Sequence, residues 1–107
     1  MIKRVPVVYR PEARSDLRHF YYSILSISQS FETADRYIDR LQDRCERVGD
    51  APLGGRAFGP REKGFRLVPF ERSAIIVYRV VAGKVIIHNI FSGRSDYARL
   101  LADDQTP

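Results

Sequence analysis

The stretch that most limits what this chain can become runs from Ser73 to Val81, Ser-Ala-Ile-Ile-Val-Tyr-Arg-Val-Val. Its near-continuous apolar run predicts a central strand covered on both faces. Ala82-Gly83 follows as a tight turn, and Lys84 to Phe91 reads as a second strand returning beside the first. Phe65 to Phe70 is a third strand just upstream, with Pro69 near its end. Three consecutive strands this close in sequence predict a mainly antiparallel sheet, and a sheet with an apolar face needs a cover.

Two amphipathic stretches earlier in the chain supply that cover. In the first, Pro11 suits the opening turn of a helix and Glu12 and Asp16 suit its positive end. Ala13, Leu17, Phe20, Tyr21, Ile24 and Leu25 then fall on one helical stripe, and the helix is expected to end within Ser26–Ser30. In the second, Ser30 is the expected N-cap, with Glu32 in the first turn. Ala34, Tyr37, Ile38, Leu41, Cys45 and Val48 form its apolar stripe, and Gly49 is placed to terminate it. Before the helices, Ile2 to Tyr9 is rich in valine and reads as a strand that Pro6 demotes to an edge position or a bulge. Residues 50–64 hold four glycines and two prolines and are expected as a loop. Asp96 to Leu101 can form a short last helix, and a mobile tail is expected from Ala102. The resulting fold class is α+β: a helical hairpin packed on a curved, mainly antiparallel sheet in the order β-α-α-β-β-β, with a short C-terminal helix.

With 107 residues, the chain is expected to be one domain spanning 1–107. Its longest uncharged apolar run is Ser73 to Tyr78, far short of the roughly 20 residues that cross a bilayer. No apolar segment follows the basic pair Lys3-Arg4, so no secretory signal is read and a cytoplasmic location is expected. The lone Cys45 excludes an internal disulfide and a multi-cysteine zinc site, and His19 and His88 are too far apart for a helical metal pair. No metal and no cofactor is therefore expected.

The charge distribution points to the partner. Fifteen of the 18 basic residues are arginine, the side chain best suited to bidentate contacts with carboxylate or phosphate. Residues 54–99 carry nine basic side chains against three acidic ones, while the formal charge of the whole chain is only +5. An anionic partner is expected, either nucleic acid or an acidic protein segment. Arg66 and Arg79 lie within strands, and Arg94 follows Gly93 where the last strand ends. On one concave face these three could grip an anionic group. The alternative is that each pairs with an internal carboxylate such as Glu62, Glu71 or Asp96.

Conventional catalysis finds little support. His19 falls on the polar flank of the first helix, and His88, between Ile87 and Asn89, is the only histidine placed as a general base could be. Cys45 lies on the buried stripe, where a thiol acts as a small hydrophobe. Gly54-Gly55 and Gly59 lack the residues of a phosphate loop.

Three segments taken together carry a family resemblance. Gly64-Phe65-Arg66-Leu67, Ala74-Ile75-Ile76-Val77-Tyr78-Arg79-Val80, and Val85 to Asp96 resemble the ParE branch of the RelE/ParE toxin superfamily, the toxins of type II toxin–antitoxin modules. The Pro-Glu-Ala start of the first helix agrees, and the resemblance covers roughly residues 3–101. It implies a toxin that inhibits DNA gyrase without chemistry of its own and is neutralised by a ParD-like antitoxin with an acidic or amphipathic C-terminal segment. Arg56, Arg61, Arg66, Arg79 and Arg94 are the candidates for contact with that segment. The RelE-like alternative is a ribosome-dependent mRNA endonuclease, for which Arg66, Arg79, Arg94 and Tyr97 would be the catalytic set. The strand position that holds an arginine in the nuclease branch is Ile75 here, which disfavours cleavage. The family's His-Gly-Arg-Arg-Asp-like end reads Ser92-Gly93-Arg94-Ser95-Asp96.

Overall fold

The computed structural model describes residues 4–93. Strand β1 (Val7–Tyr9) leads into helix α1 (Pro11–Ser28) and helix α2 (Phe31–Arg47), which ends in a 3₁₀ turn at Val48–Asp50. A two-residue strand β2 (Arg56–Ala57), a second 3₁₀ turn (Arg61–Lys63) and strands β3 (Arg66–Phe70), β4 (Ala74–Val81) and β5 (Lys84–Ser92) follow.

The helix ends follow from local chemistry. Pro11 opens α1, where its missing N–H is no loss, and Gln29 closes it in the left-handed conformation with its N–H on the Leu25 carbonyl. One residue later Ser30 caps α2, its hydroxyl accepting from the Thr33 N–H at 3.1 Å. The two helices thus form the expected antiparallel hairpin, joined where Phe20 and Tyr37 stack at 6.1 Å.

The sheet order is β1-β5-β4-β3-β2. The β2–β3–β4–β5 ladder is antiparallel, and β1 adds to β5 in parallel, Val7 opposite Val85 and Tyr9 opposite Ile87. β4 is the middle strand, as its apolar run predicts. Ala82 and Gly83 both take positive φ, the two-residue turn that matches hairpin twist. One face of the sheet packs under the helices. Val68, Phe70, Ala74, Ile76, Tyr78, Val85, Ile87 and Ile90 meet Ala13, Leu17, Phe20, Tyr37, Leu41 and Cys45 there.

Five expectations need revision. The first strand starts at Val7, because Val5 gives its N–H to the Gly49 carbonyl and Pro6 has none to give. Gly49 does not end α2 as a left-handed cap: it sits buried inside the 3₁₀ turn, where a Cβ would strike the Val5 carbonyl. The loop over 50–64 contains a fifth strand, β2, whose two residues pair with Leu67 and Arg66. The strand after it starts at Arg66 rather than Phe65, and the last extends through Ser92. The expected helix at 96–101 and the tail from 102 lie outside the described residues.

Candidate functional site: the helix-free face of the sheet

The second face of the sheet is not an open arginine-lined surface. Leu67, Ile75, Val77 and Phe91 project from it and are roofed by Phe58 and Phe65 of the segment between β2 and β3, making a small second core. Ile75 is part of that apolar patch, opposite Phe91.

Beside this patch lies a built polar cluster. Pairing between β4 and β5 slips at Val77/Tyr78: Tyr78 faces Ile87 and Val77 faces Asn89, so His88 is the extra residue of a β-bulge. The bulge turns the imidazole away from the helix-side core, onto the edge of the Phe65 ring at 5.0 Å. His88 is only 7% exposed. Its Nε2 receives the Arg79 Nε–H at 3.1 Å, and its Nδ1 lies 3.0 Å from Nη1 of Arg10. Arg79 also stacks over Phe65, 5.3 Å from the ring centre. Arg10 reaches the site because it is the residue before Pro11, in extended conformation, with no capping duty for its side chain. Glu12 holds its other terminal nitrogen at 2.8 Å. Burial, followed by the flanking guanidinium charges of Arg79 and Arg10, lowers the His88 pKa to about 4, so the imidazole is neutral at pH 7.

Of the candidate arginines, Arg66 and Arg79 do not come together. Arg66 lies opposite Tyr78 on the helix side of the sheet, while Arg79 lies on the other side. Arg66 donates to the carbonyls of Leu53 and Gly55 at 3.1 and 2.9 Å and pins the loop before β2. Neither arginine pairs with Glu71, whose carboxylate is held by Arg40 of α2 through two bonds of 2.7 and 3.1 Å. Arg56 and Arg61 are exposed and form no ion pair among the described residues. Arg94 and Tyr97 lie outside the described residues. Arg10 was not among the sequence candidates, since nothing in its spacing marks it before the bulge is known.

The remaining reactive groups are placed structurally. Cys45 is fully buried and its thiol is pushed up to about 12, chiefly by burial. Exposed His19 lines a groove of about 510 Å³ between α1 and the end of β5, along with Asp16, Phe20, Ile24, Ile90 and Phe91. No group of three metal-ligating side chains is gathered among the described residues. No described helix is long and apolar enough to cross a membrane.

The family model of the ParE toxin of the type II toxin–antitoxin system parDE matches residues 7–97. The chain belongs to the ParE toxin family. No curated protein sequence matches it. Among solved structures, this ParE-family chain is similar to the chromosomal ParDE toxin–antitoxin system of P. aeruginosa: 16% identity, TM-score 0.72, 85% of this chain and 98% of that one. It is also similar to the toxin–antitoxin complex RelBE2 of Mycobacterium tuberculosis: 16% identity, TM-score 0.53, 86% and 94% of the two chains. A conserved protein of Helicobacter pylori shares the fold at 16% identity and TM-score 0.50, over 82% and 93%. The ParE-family chain is therefore the toxin of a type II module, with the two-helix, five-stranded fold of that superfamily.

Proposed function

We propose that this toxin is a non-catalytic inhibitor of DNA gyrase, working in the cytoplasm and neutralised by a ParD-like antitoxin. The observation that carries the reading is the second face of the sheet. A nuclease needs basic groups and a proton acceptor converging on a scissile phosphate. Here Ile75 stands where the nuclease branch holds an arginine, inside an apolar patch roofed by Phe58 and Phe65. Arg66, a member of the nuclease set, points away from that face and is engaged by two loop carbonyls. His88 has both ring nitrogens against guanidinium groups and is poorly placed to take a proton from a substrate. A surface with apolar and cationic features but no acid–base pair among the described residues suits binding to a protein rather than bond cleavage. An antitoxin partner is supported by family membership and by the similar chains, which come from a ParDE system and a RelBE2 complex.

The test is a gyrase assay with purified toxin, supercoiled DNA and ATP, probed for trapped double-strand breaks. Protein-linked broken DNA is the expected result. Intact gyrase turnover, together with transcripts cut in a translating extract, would replace this reading with ribosome-dependent cleavage.

A further inference from the structure

We propose that Arg10, His88 and Arg79 form a docking site for a carboxylate side chain of an acidic protein segment. The proposal takes from the reading above only that the toxin has an acidic protein partner. It starts from a mismatch at His88. A neutral imidazole carries one N–H and one acceptor nitrogen, and a guanidinium has only donors. Arg79 occupies Nε2 at 3.1 Å, which puts the ring proton on Nδ1, where Arg10 stands at 3.0 Å. In the other tautomer the mismatch moves to Arg79. Either way one donor meets another at a side chain that is 93% removed from solvent by its 7% exposure. Unpaired buried donors are rare in native proteins and mark a missing partner.

An incoming carboxylate resolves the mismatch. It can accept from Arg10 and Arg79 at once, and from the ring N–H that has no acceptor among the described residues. The local charge fits a single acid. Arg10 and Arg79 contribute two positive charges, Glu12 offsets one at 2.8 Å, and His88 is neutral. The surroundings favour a protein segment over nucleic acid. Phe65 packs against both His88 and Arg79, and the half-buried Ile75 and Phe91 continue its apolar patch along the sheet, which suits alternating acidic and apolar side chains. A nucleic-acid backbone would require a run of cations, and the cluster offers a net of one.

The test uses toxin with 15N-labelled histidine at low salt, titrated with poly-L-glutamate and, separately, with an oligothymidylate of matched length. The expected result is a saturable shift of the His88 ring nitrogens with poly-L-glutamate. Arg10→Gln and Arg79→Gln should each weaken that binding about tenfold. Arg36→Gln, which removes a charge from the exposed Glu32–Arg36 pair on α2, should leave it within twofold. Arg10 is exposed and tolerant, so its variant tests the proposal even where Arg79→Gln fails to fold. No saturable shift at His88, an equal loss in Arg36→Gln, or tighter binding of oligothymidylate at His88 would each overturn it. None of these readouts involves gyrase, so a failed gyrase assay and a failed docking site remain distinguishable.

Discussion

Removing one oxygen atom from Tyr78 should loosen the entire segment that precedes β2. Tyr78 is completely buried in the middle strand, and its hydroxyl accepts the Gly55 N–H and donates to the Pro52 carbonyl, each at 2.9 Å. Tyr78→Phe keeps the ring and its packing but orphans both groups. Gly55 is buried, so its N–H cannot turn to water, and an unsatisfied buried donor costs about 1–3 kcal/mol. The half-buried Pro52 carbonyl recovers water and adds less than about 1 kcal/mol. A loss of about 2–3 kcal/mol follows, a large part of the roughly 5–15 kcal/mol that holds a domain together. Urea denaturation of the two proteins should show a lower midpoint at unchanged slope, and Tm should fall by about 10 °C or more. Arg66 pins the same segment through Leu53 and Gly55, so Arg66→Gln should cost about 1 kcal/mol, and the two losses should not add. A Tyr78→Phe midpoint within about 0.5 kcal/mol of wild type would refute the assignment of this hydroxyl as the loop's anchor.

Other consequences are open to simple measurement. His88 stays neutral in the folded chain down to about pH 4, while in the unfolded chain it protonates near its ordinary value of 6.5. Below pH 6.5 the unfolded state therefore binds more protons, and stability falls by up to about 1.4 kcal/mol per pH unit until pH 4. In His88→Gln that segment of the stability–pH curve should flatten; an unchanged slope would show that His88 titrates normally. Asp16 accepts the Ile90 N–H at 2.8 Å, on the stretch of β5 that β1 is too short to reach. Asp16→Ala should cost about 1–2 kcal/mol and speed hydrogen exchange selectively at the Ile90 amide. Cys45, buried and with its thiol pushed up to about 12, should react with iodoacetamide only at the rate of global unfolding. Fast labelling of native protein would contradict that.

Most of the architecture was legible because it rests on local signals. The apolar spacing of both helices, the Ser30 cap, the Ala82-Gly83 turn and the run that became β4 each carry their own chemistry. Pro6 marked an edge strand, and β1 is one. What the sequence hid depends on register. A slip of one residue reverses which face a strand side chain occupies, and the bulge at His88 is such a slip. Without it, His88 could not be paired with Arg79 and Arg10; Arg66 is placed on the helix side by a second register, its pairing with Tyr78. Strand β2 was invisible because two residues in a glycine-rich segment have no periodicity to read. Gly49 was read as a helix stop because glycine commonly ends helices, whereas its requirement comes from the backbone of residue 5 passing against it.

The pairing of β1 with β5 also sets a schedule for synthesis. Residues 7–9 leave the ribosome long before residues 85–87, their strand partner among the described residues. At about 5–20 residues per second the nascent chain waits several seconds before the sheet's edge strand has anything to join. Until then the helical hairpin has no sheet beneath it, because the central β4–β5 hairpin comes last among the strands. The second face of the sheet, with Phe91 and the His88 cluster, therefore forms only once β5 has been made. Translation interrupted before β5 yields a fragment with neither the His88 cluster nor the completed sheet.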